Sequence, residues 1–368
     1  MNNKILFIVG TRPELIKVFP IINYLKEKGN TNYRLVSTGQ HKSLLVKYWT
    51  LFDIKPDYEL EIIHEGQDLS SLTAKAILEI NKLLINIKNE FWPDIIVAQG
   101  DTTTVMASSL VAYFNEISFA HVEAGLRSYN LKHPFPEEFN RRVSSIIADY
   151  HFAPTKISER NLFNEGISQE KIFVAGNTVI DTLNYFIDSG KLESHKLDEI
   201  KFKGVKENCV LITCHRRENH SKIDQLIAAI SFLANENKAT KFIWPVHPNP
   251  HVYNIVKDSD LNFLENVCIL EPLEYLDLIK VISISKLVLT DSGGIQEEAP
   301  TFKVPVMVLR ETTERPEAIN IGVSKLTSMD TMSIIEDYNN FKPIFPANFV
   351  NPYGDGNASE KIVKIICK

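Results

Sequence analysis

The stretch Leu287-Val288-Leu289-Thr290-Asp291-Ser292-Gly293-Gly294-Ile295-Gln296-Glu297-Glu298-Ala299-Pro300 passes from a short apolar run, through two glycines, into a segment able to start a helix. An apolar run of this kind is the end of a buried strand. A strand–glycine–helix corner leaves backbone N–H groups free and turns the positive end of a helix toward whatever lies in front of it, which suits an anion. Ser292 adds a hydroxyl, and Glu298, about one turn into the helix, can accept hydrogen bonds from a pair of sugar hydroxyls. The same corner is also an ordinary tight turn in an α/β fold, so its meaning depends on the rest of the chain.

Outward from this corner, similar apolar runs recur: Ile5–Val9, Tyr33–Val36, Ile95–Ala98, Ile117–Val122, Tyr150–Ala153 and Ile172–Ala175, then Val210–Thr213, Phe242–Val246, Val267–Leu270, Leu287–Leu289 and Val304–Leu309. They are continuous rather than alternating, and longer amphipathic stretches separate them. Strands of that kind are buried on both faces, which predicts parallel sheets covered by helices. Between the two series, residues 185–208 are rich in Lys, Asp, Glu and Ser, as expected of a surface connection. The reading is therefore an α/β protein of two Rossmann-like domains whose parallel sheets face each other across a cleft. The first domain covers residues 1–180 and the second 181–356, and a last helix near 357–368 is expected to pack back on the first.

Composition narrows the function. The chain has 368 residues, enough for two cores, and a formal charge of −6, which argues against a nucleic-acid surface. No run approaches ~18 uninterrupted apolar residues, so no spanning helix and no membrane partner are expected. The N-terminal residues read as a first strand rather than a signal peptide. Cys209, Cys214, Cys268 and Cys367 have no CxxC spacing, and reduced thiols in a cytoplasmic protein are expected.

Polar residues and glycines cluster where the strands end. Gly10-Thr11-Arg12-Pro13-Glu14 follows the first strand, Gln99-Gly100-Asp101-Thr102 a later one, and His121-Val122-Glu123-Ala124-Gly125-Leu126-Arg127 the next. In the second half, Cys214-His215-Arg216-Arg217-Glu218-Asn219 and Asp291-Ser292-Gly293-Gly294 occupy the equivalent places. Ligands of doubly wound sheets bind at the carboxyl ends of strands, so this clustering predicts a site. Pro13 suits the first turn of a helix, and Arg12 and Lys17 would direct cations at a diphosphate. Pro20 falls inside that helix and should bend it. Asp101, Glu123, Glu137 and Glu138 supply carboxylates for proton abstraction and donation, with Asn140, Arg141 and Arg142 in the helix that follows. His215 can neutralise a leaving phosphate or protonate it, and Arg315, in Glu311–Glu317, can pair with one. His247 and His251 are four apart, but Pro248 and Pro250 break the helix that zinc binding would need, so no metal is expected. Neither GxGxxG nor a Walker loop is present, which leaves dinucleotide cofactors without support.

Taken together, these stretches resemble the non-hydrolysing bacterial UDP-N-acetylglucosamine 2-epimerases. The matching segments are GTRPE at 10–14, GDTTT at 100–104, HVEAGLRS at 121–128, PEE at 136–138, HRREN at 215–219, DSGGIQEEAP at 291–300, TTERPE at 312–317 and NPYGDG at 351–356. The resemblance implies a fold like the GT-B glycosyltransferases and interconversion of UDP-GlcNAc and UDP-ManNAc. It implies no cofactor, a homodimer, and a product destined for cell-surface polysaccharide. Elimination of UDP to a 2-acetamidoglucal, followed by re-addition, is the implied route.

By the same resemblance Asp101, Glu123, Glu137 and His215 match catalytic residues. Arg12, Lys17, Leu273, Ser292, Gly293, Gly294, Glu298 and Arg315 match nucleotide-sugar contacts. Leu273 and Leu278 stand where some relatives have Gln and Phe near the uracil. Relatives that bind a second UDP-GlcNAc as activator suggest Gln40, His41, Gln67, Arg216 and His247 for that site, although Gly66 replaces an arginine. Two alternatives share the fold and most motifs: a hydrolysing 2-epimerase that releases ManNAc and UDP, and a 2-epimerase of a related UDP-diacetamido sugar. A glycosyltransferase would not explain so many acids in the first domain.

Overall fold

A computed structural model of the chain describes residues 3–40, 42–63, 66–199, 201–205 and 208–368, without the side chains of Lys42, Ser43, Leu44, Arg217 and His251. The chain divides into two compact units, residues 1–182 with 353–368 and residues 183–352.

The first unit contains β1 (Ile5–Val9), α1 (Arg12–Glu27), β2 (Tyr33–Ser37), α2 (Lys42–Phe52), β3 (Tyr58–Glu59), α3 (Leu69–Ile87), β4 (Ile95–Gln99), α4 (Thr103–Phe114), β5 (Ser118–Val122), α5 (Glu137–Ile147), β6 (Tyr150–Ala153), α6 (Lys156–Asn164) and β7 (Ile172–Val174). The boundary between the units falls within α7 (Thr178–Asp188), and the short α8 (Lys191–Ser194) follows in the second unit. That unit continues with β8 (Cys209–Thr213), α9 (Ile223–Glu236), β9 (Phe242–Pro245), α10 (Pro250–Lys257), β10 (Val267–Leu270), α11 (Tyr275–Ile284), β11 (Ser285–Thr290), α12 (Gly293–Glu298), β12 (Val306–Val308), α13 (Glu317–Asn320), β13 (Ser324–Leu326) and α14 (Thr331–Asn340). The final helix, α15 (Ala358–Ile366), belongs to the first unit and packs on α1.

Both sheets are parallel throughout. The first has seven strands in the order β3-β2-β1-β4-β5-β6-β7, and the second six in the order β10-β9-β8-β11-β12-β13. In the first, the chain winds outward from β1 and returns beside it at β4; in the second, the same happens at β8 and β11. Each unit is thus a Rossmann-like doubly wound sheet with one switch point, where the loops leaving two central strands part and open a crevice.

Burial explains why these segments became strands. All five residues of β1 and of β4 are buried. Alternate residues feed different cores: Val210 and Ile212 of β8 join Phe242, Trp244 and Leu289 on one face, while Leu211 joins Ile243, Val288 and Val306 on the other. Period-two alternation between two apolar faces produces the uninterrupted apolar runs. Pro20 lies within α1 as expected, and its neighbours Phe19, Ile21 and Ile22 are buried against the core.

Candidate active site

At the first switch point, the loop after β1 is held by Glu14. Its carboxylate accepts from the Gly10 backbone N–H at 2.6 Å and from the Thr11 hydroxyl at 2.9 Å. Thr11 and Glu14 have the N-cap and third-position spacing of a capping box, in which the acid reaches back over the helix start. Glu14 is almost wholly buried, and burial pushes its pKa up to about 7 against hydrogen bonds from Gly10, Thr11 and Thr102 that pull it down. Arg12, on the outer side of the same turn, lies 5.9 Å from the Tyr48 ring centre.

Lys17, one turn further, is buried and pairs with Glu123. The sequence suggested a cation aimed at a diphosphate; the structure makes it the partner of a carboxylate, because a buried ammonium is costly without a counter-ion. Glu123 also accepts from Gln99 Nε2 at 2.9 Å and Asn177 Nδ2 at 3.4 Å. With φ of 66°, it occupies the left-handed region rare for a residue with a side chain. Three side chains from β4, α1 and the loop before α7 hold it there.

Asp101, after β4, is gripped by Arg141 of α5, whose Nε and a terminal nitrogen donate to Oδ2 at 3.0 and 2.6 Å. Asn140 donates to the Asp101 backbone carbonyl at 2.8 Å. Glu138, wholly buried, ties the same helix to the loop after β5: it accepts from the N–H groups of Ser128 and Tyr129 at 3.0 and 3.2 Å and pairs with Arg141 at 3.2 Å. Glu137 starts α5, where the helix dipole favours an anion, one turn before the residues that hold Asp101. The sequence offers Glu138 as a fourth proton-transfer acid; the structure buries it in bonds that tie α5 to the loop after β5.

At the second switch point Asp291 is the organising group. It is fully buried at the end of β11. Its carboxylate accepts from the backbone N–H of His215 at 3.0 Å, from that of Arg216 at 2.9 Å, and from Asn219 Nδ2 at 3.0 Å. It also pairs with His215 Nδ1 at 2.9 Å. Burial alone would raise its pKa, but this set of donors, His215 first, holds it well below the carboxylate range. The His215 side chain remains 42% exposed. His247 lies just before α10, and its ring is 6.0 Å from that of His215.

Ser292 is the N-cap of α12, with no cap bond from its side chain. Gly293 lies against Arg315: a Cβ at residue 293 would lie 2.8 Å from the guanidinium carbon, and the guanidinium would have to shift. That guanidinium donates to Glu297 at 2.6 Å and pairs with Glu314, which also binds Arg310 at 2.9 Å and lies 3.6 Å from Arg216. Arg216, Arg310 and Arg315 are thus held in place by Glu297, Glu314 and Glu218, the last 3.8 Å from Arg310, in a network of guanidiniums suited to orienting a diphosphate. Glu298, buried on α12, accepts from the Tyr275 hydroxyl at 3.1 Å, and Leu273 is buried just before α11.

The expected residues therefore form two groups. Arg12, Lys17, Asp101, Glu123 and Glu137 gather at the carboxyl end of the first sheet. His215, Ser292, Gly293, Gly294, Glu298 and Arg315 gather at that of the second. Of the residues suggested for an activator, Gln40 accepts from Thr104 at 2.9 Å in the first unit, Gln67 precedes α3, and Arg216 and His247 belong to the His215 group. His41 lies outside the described residues. Asp291, Asn219, Glu297 and Glu314 received no role from sequence, although an aspartate directly before Ser-Gly-Gly at a strand end was a usable sign. Among the described residues no helix is long and apolar enough to cross a membrane.

Comparison with known proteins points to one family. The model of the UDP-N-acetylglucosamine 2-epimerase family matches residues 23–367. The chain is 41% identical to a UDP-N-acetylglucosamine 2-epimerase of Campylobacter jejuni, over all of this chain and 98% of that protein. It is also similar to the crystal structure of UDP-GlcNAc 2-epimerase from Neisseria meningitidis bound to UDP-GlcNAc. The TM-score is 0.90 and the identity 40%, over 98% of this chain and 99% of that one. For the Methanocaldococcus jannaschii enzyme in complex with UDP-GlcNAc and UDP, the values are 0.86 and 35%, over 98% and 99%.

Proposed function

The chain belongs to the UDP-N-acetylglucosamine 2-epimerase family, and from that premise we propose that it interconverts UDP-GlcNAc and UDP-ManNAc. The C2 proton of the sugar is not next to a carbonyl, so removal to an enolate is unavailable. The route that fits is elimination: a carboxylate takes the C2 proton, the C1–O bond to UDP breaks, and the electron pair closes a C1–C2 double bond in 2-acetamidoglucal. Re-addition reverses this, with UDP oxygen returning to C1 and a proton delivered to C2 from the opposite face. Two proton-transfer groups and a site for a departing diphosphate are needed.

Asp101, Glu123 and Glu137 are the carboxylates assigned to proton transfer. Arg12, Ser292, Gly293, Gly294 and Arg315 are assigned to the diphosphate, Glu298 to the ribose and Leu273 to the uracil. Lys17 supports Glu123 and its charge offsets the acids. His215 is assigned to the leaving phosphate. With Nδ1–H on Asp291, its Nε2 is the nitrogen left to face the phosphate, and the aspartate stabilises the imidazolium that forms when Nε2 binds a proton. The observation that carries this reading is the His215–Asp291 pair beside the Ser-Gly-Gly corner and Arg315.

The family resemblance also supports a homodimer and a product supplied to ManNAc-containing surface polysaccharide. Proton NMR of UDP-GlcNAc incubated with the enzyme tests the activity. Growth of UDP-ManNAc to a constant ratio is expected; accumulation of free ManNAc and UDP in its place would mean hydrolysis.

A further inference from the structure

We propose that His121 is a positioning residue for Asp101, acting through a hydrogen bond from its Nε2 to the Gly100 carbonyl. This rests on the reading of Asp101 as a proton-transfer group.

His121 is on β5, fully buried, and its Nε2 is 2.7 Å from the Gly100 oxygen. A carbonyl only accepts, so Nε2 carries the proton and Nδ1 keeps a lone pair. Nδ1 is buried and has no hydrogen-bond partner among the described residues. Burial lowers the pKa of His121 to about 4; the Gly100 carbonyl opposes this and nearby Arg127 adds to it. The ring is therefore neutral near pH 7, with its one proton committed to Gly100. Its register partner on β6, His151, is also buried and held neutral, its pKa lowered to about 3 by burial first and by His121 second.

Gly100 has φ of 91°, a left-handed conformation that few other residues adopt, and Asp101 follows directly. The Gly100 carbonyl is held by His121 and the Asp101 carbonyl by Asn140, so both ends of the Asp101 backbone are fixed. Arg141 then fixes the carboxylate. Packing does not explain the choice of histidine, because an apolar ring would avoid burying an unpaired Nδ1. Precise placement does, since a misplacement of ~1 Å at a reacting group can cost ~100-fold in rate.

Four variants of the full chain test this: His121→Phe, His121→Gln, His121→Asn and Asp101→Asn, assayed for turnover of UDP-GlcNAc. His121→Phe is expected to lower kcat by about 10- to 100-fold while KM changes by less than about 3-fold. His121→Gln, whose amide nitrogen reaches the place of Nε2, should recover most of the rate. His121→Asn, whose nitrogen stops near Nδ1, should not. The proposal is overturned if His121→Phe keeps kcat, or if Gln and Asn behave alike. Should the Phe variant not fold, the Gln–Asn contrast decides. An inactive Asp101→Asn beside fully active His121→Phe and His121→Asn would remove the positioning role alone, whereas a fully active Asp101→Asn would remove the underlying reading of Asp101.

Discussion

The Asp291 carboxylate accepts from the His215 backbone N–H at 3.0 Å and pairs with the Nδ1 of the same residue at 2.9 Å. One buried acid thus sets both the path of the chain at the end of β8 and the orientation of the imidazole. Aspartate does this because it is accept-only when ionised and can receive several N–H groups at once. Asp291→Asn replaces one acceptor oxygen by a donor that faces N–H groups. It should lower kcat by roughly 100-fold or more and weaken UDP binding, as steady-state kinetics and calorimetric titration of UDP would show. Unchanged values for both would remove the hub role.

The same carboxylate sets a low-pH limit. Its folded pKa is depressed below the ordinary 3.8, so its contribution to stability is complete above that value. It is lost as pH falls through the lower folded value. Thermal unfolding below pH 4 should therefore show a steeper loss in the wild type than in Asp291→Asn.

Glu14 has the opposite sign. Its pKa is raised from 4.5 to about 7, so the folded state binds a proton that the unfolded chain has released. The stability this gives is complete below about pH 4.5 and is lost as pH rises through about 7. Glu14→Gln, which resembles the protonated acid, should flatten the dependence of Tm on pH across that window. A wild-type Tm that rises steadily from pH 5 to 8, with the variant following the same curve, would contradict the assignment.

Gly293 and Gly294 separate two roles of the corner. A Cβ at Gly293 collides with Arg315, while one at Gly294 meets no protein atom within 4 Å. Gly293→Ala should lower both Tm and UDP affinity. Gly294→Ala should leave Tm unchanged and weaken UDP binding by about 10-fold, because the diphosphate itself needs the space. Titration of UDP against both variants checks this, and full affinity in Gly294→Ala would move the phosphates elsewhere.

Much of the fold was legible because central parallel strands are apolar on both faces. β1, β4 and β8 read directly from their composition. β3 at one edge of the first sheet has two residues, and β13 at one edge of the second has three, Ser324–Leu326, neither with an apolar run, so the sequence pattern passed over both. The site was legible as a set of strand-end residues. Its internal wiring was not: Asp291 meets His215 across 76 positions of sequence, and Lys17 meets Glu123 across 106. Only the return of β11 beside β8, and of β4 beside β1 with β5 next to β4, brings such pairs together. A buried charge takes its meaning from its partner, which spacing along the chain does not reveal.

Elimination of UDP and its re-addition would exchange the C2 proton with solvent. Wild-type enzyme incubated with UDP-GlcNAc in deuterated water tests it most directly, with the recovered nucleotide sugars read by NMR and mass spectrometry. Deuterium is expected at C2 of both UDP-ManNAc and recovered UDP-GlcNAc, and none elsewhere on the ring. UDP-ManNAc formed with its C2 proton retained would contradict it.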